Sequence, residues 1–244
     1  MSTMIRDYGA RARIGIATPQ ANPTVEPEMR ALLPPSIAVY ATRLVHPAAD
    51  VETRLDHYIR NLPAALATFG VLRLDAFGFG CTGSSYRAGP ALEDELTRRT
   101  AEAAGLPVIT AAQAIRATLA EFGAHRVALV APYPVALAAA GIAYWQSAGI
   151  TVTQSLRVDP ALTDTHRIYE LTSRDALGAV RQLDDDSADC IVVSGTGMPT
   201  LAALRACRTE FKKPVFSSNV CLAWCLLRAV APDLAPSSPA ELLS

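Results

Sequence analysis

Asp75-Ala-Phe-Gly-Phe-Gly-Cys-Thr-Gly-Ser-Ser-Tyr86 is a short apolar run that ends at Cys81 and gives way to small, hydroxyl-bearing residues before Pro90 opens a helix. The pattern predicts a buried strand followed by a loop. In an open α/β sheet, ligands sit at the carboxyl ends of strands, where backbone N–H groups are free to meet them. Cys81 stands at such an end. A free cysteine is ordinarily a small buried hydrophobe, and Cys190, Cys207, Cys221 and Cys225, which lie inside apolar or amphipathic runs, read that way. Position separates Cys81 from them, because loop amides and a following helix N-terminus can stabilise a thiolate there.

Outward from this stretch, strands and helices alternate. Apolar runs and turn residues predict strands at 13–18, 37–44, 75–81, 106–110, 126–131, 151–158, 189–194 and 214–217. Helical spacing predicts helices at 24–33, 50–69 with a break at Pro63, 91–104, 111–122, 135–147, 165–183, 200–211 and 219–230. Residues 1–12 read as a frayed leader, and Asp184-Asp-Asp-Ser187 as a solvated turn rather than a metal site. Such alternation implies mostly parallel sheets flanked by helices.

The second half repeats the first. Ile-Ala-Thr-Pro at 16–19 matches Leu-Val-Ala-Pro at 129–132 with an offset of 113, and Gly80-Cys-Thr-Gly83 matches Ser194-Gly-Thr-Gly197 with an offset of 114. Leu106-Pro-Val-Ile-Thr110 pairs with Lys213-Pro-Val-Phe-Ser217 at an offset of 107. Ordered matches of this kind predict two pseudo-symmetric Rossmann-like lobes with a site in the cleft between them. Thr82 and Gly83 from one wall, and Gly195, Thr196 and Gly197 from the other, then offer hydroxyl and N–H donors to a carboxylate and to an enediolate developing on it. Only the first wall carries a thiol.

Composition narrows the ligand. Of 244 residues, half are hydrophobic and 18% charged, with a formal net charge of −1, which excludes the electrostatic footprint of a nucleic-acid or anionic-membrane binder. Apolar stretches are interrupted well before about 18 residues, the length of a membrane span. The four histidines, His46, His57, His125 and His166, have no ligand spacing and read as surface or capping residues. Gly-Cys-Thr-Gly lacks the lysine and glycine pattern of a phosphate loop. An odd count of five cysteines without a zinc array, and no signal-like segment at Met1 to Ala10, fit a reduced cytoplasm.

In motif and order the chain resembles the aspartate/glutamate racemase superfamily, and within it the maleate isomerase and arylmalonate decarboxylase branch. Pro19-Gln-Ala-Asn22 with Glu26-Pro-Glu28 resembles the maleate isomerase opening motif, and Cys81-Thr-Gly the first catalytic cysteine. Ser85-Tyr86-Arg87-Ala-Gly89 resembles the decarboxylases, Ala131-Pro132-Tyr133 the loop tyrosine of both, and Met198-Pro199-Thr200-Leu201 the segment after the second catalytic position. That second position is Gly195, where two-thiol members carry a cysteine.

The resemblance implies an N-terminal lobe of residues 1–112 plus 218–244 carrying Cys81, and a C-terminal lobe of residues 113–217 carrying Tyr133 and the Gly195-Thr196-Gly197 loop. It implies no cofactor and no metal, and a small carboxylate substrate. Cys81 would add as a thiolate to an electron-poor C=C bond, with Pro19, Asn22 and Tyr133 around the carboxylates. Two alternatives stand beside this isomerase reading: a malonate-type decarboxylase in which Cys81 donates a proton, and a non-catalytic carboxylate-binding protein. Asn22 also suits a role folding its proline-rich turn, Tyr133 one capping a strand end, and Arg87 either a carboxylate or water. Analogy with two-lobed enzymes leaves a homo-oligomer open.

Overall fold

The structure, a computed structural model, describes residues 6–183 and 186–244. Residues 1–5 of the predicted leader, and Asp184 and Asp185 of the predicted acidic turn, lie outside the described residues.

The first sheet is built from β1 (Ala12–Pro19), β2 (Ile37–Leu44), β3 (Ala76–Phe79) and β4 (Val108–Thr110). Helices α1 (Val25–Leu32), α2 (Val51–Arg60), α3 (Leu62–Ala67), α4 (Thr82–Ala88) and α5 (Pro90–Ala104) are threaded between them. After α6 (Ala111–Glu121) comes the second sheet, β5 (Arg126–Ala131), β6 (Thr151–Arg157), β7 (Cys190–Val193) and β8 (Val215–Ser217), with α7 (Val135–Ser147), α8 (Ser173–Val180) and α9 (Leu201–Glu210). Helix α10 (Ser218–Val230) follows.

Both sheets are parallel and share one strand order, β2-β1-β3-β4 and β6-β5-β7-β8. Their registers correspond as well. Ala17 sits opposite Phe79 in the first sheet and Val130 opposite Val193 in the second, which are the offsets of the sequence repeat. Central strands β1, β3, β5 and β7 are buried almost throughout, as strands covered by helices on both faces must be. Helix α10, buried along most of its length and carrying Trp224, packs on α6, α1, β3 and β4, so the chain's last long helix closes the core of the first sheet.

Four stretches differ from expectation. The predicted 82–89 loop is mostly the two-turn helix α4. The predicted 165–183 helix is split into a 3₁₀ turn at Thr165–Glu170 and α8, because Thr172 and Asp175 form a reciprocal capping box that restarts the helix. In the leader, Arg6 and Arg11 are pinned by ion pairs to Asp75 and Asp233, and strand β1 begins at Ala12. The predicted break near Pro63 falls at Asn61, between α2 and α3. No helix among the described residues is long and apolar enough to cross a membrane.

Candidate active site

Strand β3 ends at Phe79 and delivers Cys81 as the residue that opens α4. Thr82, Gly83, Ser84 and Ser85 are poor helix formers, and α4 holds because it packs against α2 and α7. The Cys81 Sγ lies 3.2 Å from Ser84 Oγ. Burial pushes its thiol above the usual range, while the Ser84 hydroxyl and the N–H groups of Ser84 and Gly83 pull the other way. Burial is the larger effect, so the resting form at neutral pH is the thiol. Alkylation of Cys81 by iodoacetamide should therefore still be accelerating at pH values above 9, and a bound carboxylate should protect it. A plateau below pH 8 would show the hydrogen bonds winning instead. Burial also keeps the other cysteines as thiols, pushed up to about 12 at Cys190 and about 11 at Cys207 and Cys225.

Strand β7 ends at Val193 and presents Ser194 to Gly197 opposite Cys81. The two loops are tied directly, Thr196 Oγ1 donating to the Gly80 carbonyl at 2.8 Å. Asn22 does two jobs. Its Oδ1 accepts the N–H groups of Thr24 and Val25, folding the turn into α1, and its Nδ2 donates to Thr196 Oγ1 at 3.3 Å. Thr24 Oγ1 donates to the Gly197 carbonyl, and Thr82 Oγ1 to Ser218 Oγ.

Glu28, part of the Glu26-Pro-Glu28 motif in the first turn of α1, sends its buried carboxylate across to the start of α9, accepting the N–H groups of Thr200 at 2.6 Å and Leu201 at 3.2 Å and the Asn219 amide at 2.7 Å. Asn219 in turn donates to the Thr196 carbonyl. Burial raises the Glu28 carboxyl above its usual range against these donors. Glu28→Ala leaves buried donors unpaired and should cost about 1–3 kcal/mol of stability, read by denaturant unfolding. A change under about 0.5 kcal/mol would mean that water replaces the carboxylate.

Between the loops lies a cavity of about 70 Å³, which at 10–15 Å³ of such volume per water holds roughly five to seven waters. Of the residues singled out from sequence, Pro19, Asn22, Cys81, Thr82, Gly83, Tyr133, Thr196 and Gly197 all line it. Gly195 is not among the lining residues. Its φ is +91°, and a Cβ built on it would stand 2.8 Å from Pro132 Cγ and 3.4 Å from the Tyr133 hydroxyl.

Sequence reasoning missed one wall. Val51, Arg54, Leu55 and Tyr58 of α2 face the cavity together, with Thr165, His166, Ile168 and Tyr169 from the 3₁₀ turn. The positions 51, 54, 55 and 58 share one helical face, a signal present in the sequence. Arg54 is held by the carbonyls of Ala48 and Ala49. Asp164 is the cap of the 3₁₀ turn, accepting the His166 backbone N–H, and His166 itself stands on the cavity wall. Arg87 points away, in ion pairs with Glu52 and Asp56. Among the described residues, no cluster of three or more His, Cys, Asp or Glu side chains is arranged to hold a metal ion.

Tyr133 is buried, and burial with the nearby Tyr86 and Cys81 holds its hydroxyl well above the usual tyrosine range, an effect that the Thr82 and Ser194 hydroxyls oppose. It is a neutral donor at any working pH.

Comparison with known proteins follows this geometry. A family model described as Amdase, arylmalonate decarboxylase, matches residues 14–243. A maleate isomerase from Nocardia farcinica is 29% identical over 243 residues, covering 95% of this chain and 95% of that protein. A solved structure of the Nocardia farcinica maleate cis-trans isomerase, a cysteine-to-serine mutant with a covalently bound succinylcysteine intermediate, is 26% identical. It covers 95% of this chain and 98% of that one with a TM-score of 0.83. A crystal structure of arylmalonate decarboxylase, at 24% identity, shares the fold with a TM-score of 0.71 over 90% of this chain and 92% of that one.

Proposed function

The chain belongs to the arylmalonate decarboxylase family, and from that membership we propose that it is a cofactor-independent cis-trans isomerase of a small unsaturated dicarboxylate such as maleate. The observation that carries this reading is Cys81 at the β3 end, in one small cavity with Asn22, Tyr133 and the Thr82 and Thr196 hydroxyls. Likeness to maleate isomerases over nearly the whole chain supports it.

Sulfur of Cys81 bonds to one alkene carbon, and the π electrons move onto the neighbouring carbon and its carboxylate as an enediolate. Among the described residues, Cys81 Sγ bonds to Ser84 and to no carboxylate or imidazole side chain. The thiol proton therefore goes to the substrate's own carboxylate. Rotation about the new single bond, return of the electrons to the C–C bond and expulsion of sulfur give the trans isomer, with the proton restored to Cys81. Asn22 Nδ2, through its second N–H, and the Tyr133 hydroxyl donate to the carboxylates, and the backbone N–H groups near Thr82, Gly83, Thr196 and Gly197 receive the developing charge.

The resting thiol favours a second reading. A neutral Cys81 is already a proton donor: in a decarboxylase the C–C bond to one carboxylate breaks, CO2 leaves, and the resulting enediolate takes the Cys81 proton. Only one donor is needed. Proton NMR in D2O with maleate and, separately, phenylmalonate tests both. Fumarate supports the isomerase; deuterated phenylacetate with released CO2 supports the decarboxylase; neither product removes both and leaves a carboxylate-binding protein. A near-neutral chain directs this site to small carboxylates rather than nucleic acid or membrane, and a reducing compartment such as the cytoplasm suits its thiol.

A further inference from the structure

A two-thiol site has an acid on each face of its substrate, and here the second face offers Gly195. The Tyr133 hydroxyl stands 3.4 Å from where a Gly195 side chain would begin. Behind it runs a buried line of polar groups outside the mechanism so far. Trp145 Nε1 donates to the Tyr86 hydroxyl at 3.0 Å, and the Tyr86 hydroxyl lies 2.6 Å from Ser194 Oγ. The Tyr133 ring packs edge-on against Tyr86 with centroids 6.0 Å apart, and the Ser194 hydroxyl pulls the Tyr133 hydroxyl down against the effect of burial.

The direction of this line follows from its far end. An indole N–H can only donate, so the Tyr86 oxygen accepts from Trp145 and its own proton goes to Ser194. Ser194 then accepts, which leaves its own proton free to turn toward Tyr133. Thr82 spends its proton on Ser218, and Tyr133, which lines the cavity, is free to turn its proton into it. The Tyr86 ring is fixed by close packing on α7, where a side chain on Gly141 would come within 2.7 Å of it.

We propose that Tyr133 is the acid on the face opposite Cys81, protonating the carbon next to the newly formed C–S bond, with Ser194, Tyr86 and Trp145 positioning its proton. The Tyr133 O–H bond breaks as the C–H bond forms, giving a succinyl thioether on Cys81 and a phenolate that accepts from Ser194. After rotation about the C–C single bond the phenolate takes the other hydrogen of that carbon, now turned opposite the C–S bond, the C–H electrons re-form the C=C bond as the trans isomer, and sulfur leaves. This inference rests on the isomerase reading.

The test is to mix native protein, Tyr133→Phe and Ser194→Ala with maleate, following fumarate by NMR and the succinyl adduct on Cys81 by intact-protein mass. Native protein is expected to yield both. Tyr133→Phe should lose roughly 100-fold or more in kcat and in the rate of adduct formation. Ser194→Ala should lose about ten-fold in kcat with KM unchanged, a split that a purely structural role would not give, and Ser194→Thr should restore it. Adduct forming at the native rate in Tyr133→Phe, or a loss confined to KM in both variants, overturns the proposal while leaving the isomerase reading intact. Native protein that yields neither fumarate nor adduct removes the isomerase reading, and this inference with it.

Discussion

Cys81→Ala is expected to abolish turnover, by at least about 1,000-fold in kcat, the scale seen when an enzyme loses its nucleophile, with the fold retained. Both chemical readings route a bond through this sulfur. The isomerase loses the atom that turns the C=C bond into a rotatable single bond, and the decarboxylase loses its proton donor. Water cannot stand in for either role, because it is a far weaker nucleophile and acid than a thiol at neutral pH. The substitution removes one sulfur from a wall that already borders a cavity, so the melting temperature should move little. Cys81→Ser should be nearly as inactive, since a hydroxyl is a far weaker nucleophile and acid than a thiol at neutral pH. Turnover by Cys81→Ala within ten-fold of native would show that the sulfur is a packing group and that the chemistry lies elsewhere.

How much of this was legible before the structure can be read from individual residues. Strand ends were legible, because parallel strands buried on both faces are continuous apolar runs cut off by Gly, Thr or Pro, and this put Cys81 and the Gly195 loop on facing walls. Helix α4 was not: Thr82-Gly83-Ser84-Ser85 has the composition of a turn, and its helix is imposed by α2 and α7 packing on it. Arg54 escaped notice because a charged residue on an amphipathic helix ordinarily faces water, and only the placement of α2 turns that face to the cavity. Glu28 sat where an acid helps its own helix dipole, so its reach to Thr200 and Leu201, across 172 and 173 residues of sequence, had no local signature. The thiol's resting state was hidden for the same reason, since burial depends on the whole fold rather than on the loop around Cys81.

Gly195→Cys, the substitution that would rebuild a two-thiol site, is expected to damage the protein instead of improving it. Two costs add at this position. A φ of +91° lies outside the regions open to residues with a Cβ, at about 1–2 kcal/mol in the left-handed region. The Cβ would also meet Pro132 Cγ at 2.8 Å, closer than real contacts allow, and a proline ring cannot swing aside as a flexible side chain would. Forced overpacking of this kind costs about 1–3 kcal/mol, bringing the total to about 2–5 kcal/mol, or a melting temperature lower by roughly 4–20 °C for a chain this long. Relief would have to come from Pro132 and Tyr133 moving together, which shifts the Tyr133 hydroxyl from its place on the cavity wall. Gly195→Ala separates the two effects: it carries the Cβ without the thiol, and should share both the loss of stability and a loss of turnover. A Gly195→Cys protein that melts with the native chain and isomerises maleate faster would mean that the loop relaxes freely and that a second thiol is what this site lacks. The geometry argues the other way: with Pro132 and Tyr133 already beside that space, the second wall is packed around the glycine, and a thiol cannot be placed on it without displacing the hydroxyl beside it.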